Sequence, residues 1–214
     1  MPKTIHTTEE QNRSMQRYYI LQSRIYDATR WSFLFGRRQL ICALPFGREA
    51  KIKVLEIGCG TGYNLRNMAR CFPKATFTGL DVSEHMLKKA RRNTAAFSER
   101  VELISRPYTL GETQFLGRMD AIVFSYSLSM INPQWQELLQ QAQADLKPGG
   151  LIAVADFHNS RLGWFKRHMG NNYVRMDGHL LAQLRPDFIG LFDQVKPAYG
   201  GVWEYFVFVG KKAD

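Results

Sequence analysis

An α/β fold is predicted for this chain, with a mainly parallel sheet, helices on both faces and an antiparallel hairpin at the C-terminal end. Three observations predict it. From residue 51 onwards, apolar runs typical of strands alternate with amphipathic runs typical of helices. A glycine-rich turn at residues 58–62 joins the first strand directly to a helix. Two late apolar runs are joined by Gly200-Gly201, a spacing that indicates a hairpin.

The predicted elements follow in order along the chain. Strands are predicted at residues 53–57, 76–80, 101–104, 121–125 and 151–155, and the late pair at 195–199 and 202–209. Helices are predicted at residues 62–71, after the N-cap residue Ser83, and from Pro133 in a first turn to Leu146. Lys147-Pro148-Gly149-Gly150 is predicted to be a turn before the fifth strand.

Length and composition predict one core preceded by a helical segment. The chain has 214 residues, which suits a single large core. We expect residues 1–50 to form a helical lid through which substrate enters, and residues 51–214 to form the core. The three cysteines form no C-x-x-C pair, which favours a reducing cytoplasm. Neither a signal peptide, a membrane span nor a metal site is expected.

The formal net charge of +10 predicts a polyanionic partner, either nucleic acid or an anionic membrane surface. The alternative is a basic protein without such a partner. Basic residues are concentrated in the N-terminal segment, at Arg13, Arg17, Arg24, Arg30, Arg37 and Arg38. Aromatic residues lie between them, at Tyr18, Tyr19, Tyr26, Trp31, Phe33 and Phe35.

The glycine-rich turn predicts a cofactor site, because glycines let a backbone approach a ligand closely. Its glycines, Gly58, Gly60 and Gly62, differ from the dinucleotide pattern G-x-G-x-x-G, which would place a glycine where Tyr63 stands. Glu56 precedes the turn, and its carboxylate disfavours a pyrophosphate but suits a cation. The site is therefore predicted to bind an adenosine-containing cofactor that carries positive charge.

Asp81 follows the second predicted strand, where a carboxylate can accept hydrogen bonds from ribose hydroxyls. S-adenosylmethionine fits both acids, since it carries a sulfonium and an ammonium but no phosphate. The run Glu56-Ile57-Gly58-Cys59-Gly60-Thr61-Gly62 resembles motif I of class I S-adenosylmethionine-dependent methyltransferases, and residues 77–83 resemble the next motif. This resemblance implies a Rossmann-like, seven-stranded methyltransferase fold.

Each cofactor-binding residue has an expected role. Glu56 should interact with the amino-acid end of the cofactor, directly or through the loop, and Asp81 with the ribose diol. The other predicted contacts are Gly58, Cys59 (through its backbone), Gly60, Gly62, Val82, Met86, Tyr108 and Ser125. Val82 and Met86 are expected to flank adenine, although Met86 also suits a helix core. Many class I enzymes have Gly-Asp-Ala where this chain has Arg106-Pro107-Tyr108, so backbone groups or stacking on Tyr108 should recognise adenine.

Two further runs narrow the resemblance. They are Tyr26-Asp27-Ala28-Thr29-Arg30-Trp31-Ser32-Phe33-Leu34-Phe35-Gly36-Arg37 and Ser125-Tyr126-Ser127-Leu128-Ser129-Met130-Ile131. Both look like the N-methyltransferases of betaine-lipid synthesis, which trimethylate diacylglyceryl-homoserine, and Ala155-Asp156-Phe157 is also similar. The resemblance covers the first 160 residues and implies a lipid amine substrate.

The predicted protein is a cytoplasmic methyltransferase, peripheral at the inner membrane face, that acts on a lipid amine at an anionic surface. No nucleic acid partner is expected. The alternatives are an N-methyltransferase of another phospholipid or a small-molecule amine, an RNA methyltransferase, or a non-catalytic binding module. Base-directed enzymes often have Asn/Asp-Pro-Pro-Tyr after the fourth strand, where this chain has Ser-Tyr-Ser-Leu. The presence of both Glu56 and Asp81 argues against a non-catalytic module.

The predicted catalytic residues are Tyr26, Tyr126 and Arg30. Methyl transfer from a sulfonium depends mainly on alignment with the amine lone pair and requires no strong base. Tyr26, Trp31 and Tyr126 are expected to line a wall for the cationic product, although each could be a core residue. Arg30 should pair with a carboxylate of the substrate or cofactor, or with Asp27. Tyr26, Tyr126, Tyr108 and His158 are candidate proton acceptors, and residues 164–168 a second membrane contact.

Overall fold

The computed structural model describes residues 33–131, 134–171 and 174–213. The predicted residues Tyr26, Arg30 and Trp31, and most of the predicted lid, lie outside this described part. No helix within it combines the length and apolar character required to cross a membrane.

The described residues contain seven strands and six α-helices. The strands are β1 (Lys53–Ile57), β2 (Thr76–Asp81), β3 (Val101–Ser105), β4 (Met119–Ser125), β5 (Leu146–Asn159), β6 (Ile189–Ala198) and β7 (Trp203–Lys211). The helices are α1 (Arg37–Cys42), α2 (Tyr63–Cys71), α3 (Glu84–Asn93), α4 (Trp135–Asp145), α5 (Gly163–Asn171) and α6 (His179–Asp187). Short 3-10 turns occur at Ala95–Phe97, Leu128–Met130 and Tyr199–Gly201.

The strands form one sheet in the order β3-β2-β1-β4-β5-β7-β6. The pairs β1–β2, β2–β3, β1–β4 and β4–β5 are parallel. Strand β7 runs antiparallel between β5 and β6. The prediction of a mainly parallel sheet with an antiparallel C-terminal hairpin is therefore confirmed. All five parallel strands end at the same edge of the sheet, which is where open α/β sheets bind ligands.

Alternate residues of the central strands are buried on opposite faces, because successive side chains of a strand point to opposite sides. Leu55 and Ile57 of β1 belong to the core that includes residues of α4 and α6, whereas Val54 belongs to the core that includes residues of α1 and α2. Leu55 is 0% exposed and Val54 1%. Burial on both faces explains why this strand is almost continuously apolar.

The start of α3 was predicted from Ser83, and this prediction is confirmed. The Ser83 hydroxyl accepts a hydrogen bond from the backbone N–H of Met86 at 3.4 Å. A side-chain oxygen at this position satisfies an N–H group that has no partner within the helix. Met86, Leu87 and Ala90 form the buried face of α3.

Two boundaries differ from the prediction. The predicted turn at residues 147–150 lies inside β5, where the pairing with β4 moves from Met119–Leu146 to Ala121–Leu151. Gly149 has φ +68° there, so the turn becomes an irregularity in a strand. Strand β6 begins at Ile189, well before the predicted residue 195. It is an exposed edge strand, and its mixed polarity gave no strand pattern.

We predict that Gly62→Ala destabilises the fold by about 1–3 kcal/mol. Gly62 has φ +73°, and an added Cβ would lie 3.1 Å from the Cβ of Ala90. Gly47→Ala is the matched control, because nothing lies within 4 Å of the added Cβ. Urea unfolding of both variants measures the difference. Equal free energies of unfolding would contradict this account of the turn.

Candidate functional site

The turn between β1 and α2 is fixed to the end of β2 by backbone hydrogen bonds. The N–H groups of Gly58 and Cys59 both donate to the Leu80 carbonyl, each at 2.9 Å. The Gly60 N–H donates to Oδ2 of Asp81 at 2.8 Å. The structure thus brings together the glycine-rich turn and the acid that the sequence placed at neighbouring strand ends. Their contact with a cofactor stays a prediction.

Asp81 also organises the start of the segment that leads into α3. Its Oδ1 accepts the backbone N–H of Ser83 at 2.8 Å, so each carboxylate oxygen receives one backbone N–H. The residue is half-buried at the sheet edge. An ionised carboxylate offers about four acceptor positions, so this geometry is compatible with additional hydroxyl donors.

Glu56 lies on β1, next to the strand that carries Asp81, and is 1% exposed. Its Oε1 accepts a hydrogen bond from the Asn64 amide at 2.7 Å. Asn64 lies in the first turn of α2, and its buried Oδ1 has no hydrogen-bond partner within the part of the chain that the structure describes. Asn64 was not predicted as a site residue; its place directly after the glycine-rich turn was the available signal.

The loop after β4 packs directly against the glycine-rich turn. Gly58 has φ +70°, and a Cβ on it would lie only 2.9 Å from the Cβ of Ser127. Gly58 was predicted to allow close approach of the cofactor, but the structure shows that Ser127 occupies the space next to its Cα. The need for glycine at position 58 therefore comes from the contact between two loops and from the positive φ angle.

Two hydroxyls, one at the end of β4 and one in the loop after it, are buried without a hydrogen-bond partner among the described residues. They are the Oγ atoms of Ser125 and Ser127. Burying a hydroxyl without a partner costs free energy, so unsatisfied groups of this kind at a strand end favour a polar ligand. Ser125 was predicted from its position after β4, whereas Ser127 was not.

Tyr126 belongs to the second of the two runs that carry the closer family resemblance and contacts the first. It has φ +56°, which is uncommon for a residue with a side chain. Its hydroxyl donates to the Phe35 carbonyl at 2.9 Å, and its ring packs edge-on against Phe157 at 4.8 Å. Burial holds the pKa of this hydroxyl well above its ordinary value. Tyr126 is therefore protonated at neutral pH, which argues against a role as proton acceptor.

Asp156 fixes the same loop from the end of β5. Its carboxylate is fully buried and accepts the Ser129 hydroxyl at 2.5 Å and the Ser129 backbone N–H at 3.1 Å. It also accepts the Phe157 N–H at 2.8 Å. Burial raises the pKa of Asp156 to about 6, against these hydrogen bonds, which lower it. Asp156 and Ser129 lie in runs that carry the family resemblance, but neither was predicted as a site residue.

The three residues predicted to contact adenine, Tyr108, Met86 and Val82, differ from one another in burial. Tyr108 is 7% exposed, and its hydroxyl donates to Oδ2 of Asp145 at 2.7 Å. Burial raises the pKa of this hydroxyl above its ordinary value, and the hydrogen bond with Asp145 raises it further. The ring is a core residue, so the structure does not support the predicted stacking on adenine. Met86 is 1% exposed in the helix core, the alternative considered for it, whereas Val82 is half-buried beside Asp81.

Cys59 was expected to contribute only its backbone to cofactor binding. Its side chain lies in the core, and its N–H donates to the Leu80 carbonyl of β2. His158 is half-buried at the end of β5, with its ring 6.1 Å from the Phe206 ring. Burial lowers its pKa, so the imidazole is neutral at neutral pH.

Arg37 is a cation near the glycine-rich turn that was not predicted as a site residue. Its guanidinium lies over the Tyr63 ring, 4.0 Å from the centroid, and its Nε donates to the Leu34 carbonyl at 3.2 Å. Tyr63 is the first residue of α2, so this contact joins the N-terminal segment to the helix that follows the glycine-rich turn.

Comparison with known proteins agrees with this geometry. Residues 54–150 match the family model described as Methyltransferase domain. The carboxy-S-adenosyl-L-methionine synthase of Trichodesmium erythraeum is 29% identical over 129 residues, covering 58% of this chain and 50% of that protein. The demethylmenaquinone methyltransferase of Tropheryma whipplei is 34% identical over 125 residues, covering 58% and 49%. The chain thus spans about half the length of these curated relatives.

Solved structures share the fold. The 1,6-didemethyltoxoflavin-N1-methyltransferase of Burkholderia thailandensis, with bound S-adenosylhomocysteine, has a TM-score of 0.75 and 18% identity, covering 100% of this chain and 94% of that one. The N-methyltransferase NodS of Bradyrhizobium japonicum has a TM-score of 0.67 and 17% identity, covering 83% and 86%.

The Rossmann-like methyltransferase fold predicted from the sequence is confirmed, and the solved structures that share it include one with bound S-adenosylhomocysteine. The methyltransferase-domain match covers residues 54–150, from β1 into β5. The curated relatives carry names with different substrates, so the acceptor is treated below as a proposal.

We predict that Asp156 makes the stability of the fold depend on pH. Because burial raises its folded-state pKa from 3.8 to about 6, its contribution is fully present below pH 3.8 and is lost as pH rises through 6. At about 1.36 kcal/mol per pKa unit, the loss is about 3 kcal/mol. Relative to Asp156→Asn, the free energy of unfolding of the unmodified protein should fall by most of this amount between pH 4 and 7.

Denaturant unfolding at a series of pH values measures this difference. Ser129→Ala is the companion variant: it removes one donor to the carboxylate, so the pH midpoint should rise. Parallel stability curves for the unmodified protein and Asp156→Asn would contradict the assignment.

Proposed function

We propose that this protein binds S-adenosylmethionine at the carboxyl edge of the sheet and transfers its methyl group to an amine nitrogen. One observation carries the proposal. Oδ2 of Asp81 accepts a hydrogen bond from the Gly60 N–H of the glycine-rich turn at 2.8 Å, and Glu56 is buried on the adjacent strand. These two acids lie at the ends of neighbouring strands, beside the glycine-rich turn. They suit a cofactor that carries a ribose and a separate positive charge.

The described residues fit this cofactor by their chemistry. When bound, S-adenosylmethionine supplies an electrophilic methyl group, because its sulfonium leaves as a neutral thioether. Asp81 would accept hydrogen bonds from the ribose hydroxyls, and Glu56, with Asn64, would hold the amino-acid end. The buried hydroxyls of Ser125 and Ser127 would complete the polar lining.

The acceptor is proposed to be an amine whose nitrogen aligns with the methyl group in a water-poor site. Proximity and orientation supply most of the required rate enhancement, so no strong base is needed. Tyr126 and Tyr108 stay protonated because burial raises the pKa of each. The neutral imidazole of His158 can accept a proton from the amine, and water can do the same.

The proposed substrate is the homoserine amine of a diacylglyceryl-homoserine lipid, methylated to a betaine lipid. Two runs that resemble betaine-lipid methyltransferases support this, and they contact each other where the Tyr126 hydroxyl meets the Phe35 carbonyl. Aromatic rings around this contact suit a cationic product: Phe35 stacks on Tyr205 with centroids 5.7 Å apart. The proposed partner is therefore an anionic, lipid-bearing membrane surface, with the protein peripheral on it.

A second candidate acceptor is another phospholipid or a small-molecule amine. It is favoured because the aromatic rings beside Tyr126 would accommodate any nitrogen that becomes quaternary, whatever group carries it. The residues that most narrowly specify the lipid resemblance, such as Tyr26 and Arg30, lie outside the described part. The two candidates share the same cofactor site and differ only in what the acceptor carries.

We predict that Asp81→Ala weakens S-adenosylmethionine binding by about 10- to 100-fold, since a charge-assisted hydrogen bond contributes about 1.5–3 kcal/mol. Isothermal titration calorimetry measures the loss, and Asp81→Asn, which keeps one acceptor oxygen, should lose less. Asp120→Ala is the matched control. Asp120 also accepts a backbone N–H, from Lys53 at 2.7 Å, but lies at the opposite end of the sheet. Tight binding of NAD without binding of S-adenosylmethionine would reject the cofactor assignment.

We predict that labelled methyl groups are transferred to diacylglyceryl-homoserine presented in mixed vesicles. The purified protein is incubated with labelled S-adenosylmethionine and, separately, with this lipid, other phospholipid amines, small amines or RNA. Label in the homoserine lipid supports the first candidate. Label only in other amines selects the second, and label only in RNA overturns both.

A further inference from the structure

We propose that a cationic, aromatic surface beside the cleft docks this protein on an anionic lipid bilayer. This docking surface consists of Phe33, Arg161, Trp164, Lys166, Arg167 and Tyr199. It rests on the proposed function in one respect, that the acceptor is carried by a lipid. The physical argument for the surface itself comes from exposure, charge and position.

The aromatic side chains of the docking surface are unusually exposed for their size. Trp164 is 64% exposed, Tyr199 52% and Phe33 37%, and Trp164 is the most exposed large apolar side chain among the described residues. Helix α5 is anchored by its other side, where Phe165 and Met169 are buried in the core. The structure therefore holds an indole outward from a fixed helix, the arrangement by which Trp inserts at a membrane interface.

The segments that carry the exposed aromatic residues are joined by a hydrogen bond and a ring contact. The Ser160 hydroxyl donates to the Val202 carbonyl at 2.6 Å, which fixes the approach to α5 against the turn between β6 and β7. That turn carries Tyr199, whose ring centroid is 6.1 Å from that of Phe33. Clustering distinguishes these residues from a single exposed apolar side chain, which is common on protein surfaces and has no special meaning.

The charge of the same surface favours an anionic partner. Residues 157–176 contain no Asp or Glu but contain Arg161, Lys166, Arg167 and Arg175. Two acids flank this stretch in the chain: Asp156, which is fully buried, and Asp177, which pairs with Arg175 and His179. Glu204 lies opposite Asn159 in the strand pairing. Basic residues near an anionic bilayer each contribute about 1 kcal/mol of attraction. The excess of cations therefore complements phospholipid headgroups.

A path of aromatic rings connects the docking surface to the proposed acceptor site. Ring centroids are 6.5 Å apart for Phe33 and Trp203, 5.0 Å for Trp203 and Phe157, and 4.8 Å for Phe157 and Tyr126. Strand β5 ends at Asn159, directly before the surface, so the surface lies at the same end of the sheet as the cleft. A bilayer bound here would present a lipid-borne amine to that end without the lipid leaving the membrane.

Vesicle sedimentation of the full chain tests the proposal. The vesicles contain phosphatidylcholine alone or phosphatidylcholine mixed with phosphatidylglycerol. Trp164→Ala should lower partitioning onto the anionic vesicles about tenfold, the effect expected for losing a buried indole at the interface. Lys166→Gln and Arg167→Gln should each lower it about fivefold, and less at high salt.

The matched controls lie at the opposite end of the sheet. Leu116, 53% exposed shortly before β4, is replaced by Ala, and Arg48, with a 73% exposed side chain before β1, is replaced by Gln. Both variants should bind vesicles like the unmodified protein. Circular dichroism and S-adenosylmethionine titration check that every variant is folded and competent for the cofactor.

The outcomes separate this proposal from the proposed function. If Trp164→Ala binds anionic vesicles as tightly as Leu116→Ala, the docking surface is rejected, whatever the enzyme methylates. The proposal is also overturned if RNA, rather than vesicles, binds in a Trp164-dependent way. If the variants lose vesicle binding as expected but no lipid is methylated, the surface stands and the lipid acceptor is wrong.

Discussion

The hydrogen bond between Asp81 and the Gly60 N–H is the interaction on which the site depends. One carboxylate at the end of β2 holds the turn that follows β1 and, through the Ser83 N–H, the segment that leads into α3. Three elements that meet at the sheet edge are thereby fixed by the same side chain that is proposed to accept the ribose hydroxyls. Asp81 can hold these elements and also accept hydrogen bonds from a ligand, because a carboxylate can accept several hydrogen bonds.

The loop after β4 is held by contacts with four other segments of the chain. Gly58 of the turn packs against Ser127, Asp156 of β5 holds Ser129, and Phe35 accepts the Tyr126 hydroxyl. On the fourth side, the Arg175 N–H donates to the Ser129 carbonyl at 3.1 Å. A loop held in this way can keep an acceptor aligned without a strong catalytic base. Alignment is what a methyl transfer chiefly demands.

The distribution of aromatic and charged residues is the basis of the proposed contact with a membrane. Acids lie inside, at Glu56 and Asp156, where burial and hydrogen bonds define their environment. Cations and exposed rings lie outside, on the docking surface, and rings from Phe33 to Tyr126 span the distance between the two. This separation agrees with the proposals that Glu56 interacts with a cationic cofactor and that surface bases contact an anionic bilayer.

The sequence by itself determined the parallel sheet, the hairpin, the N-cap at Ser83 and the proximity of the glycine-rich turn to Asp81. These features follow from local rules, because strand periodicity, turn residues and the common edge of parallel strands require no knowledge of distant contacts. Tertiary structure alone decided that Ser127 fills the space beside Gly58, that Tyr108 lies in the core and that Asp156 holds Ser129. Each of these pairs residues far apart in the chain, and packing between separate elements, rather than local pattern, sets which side chain faces a ligand and which is buried.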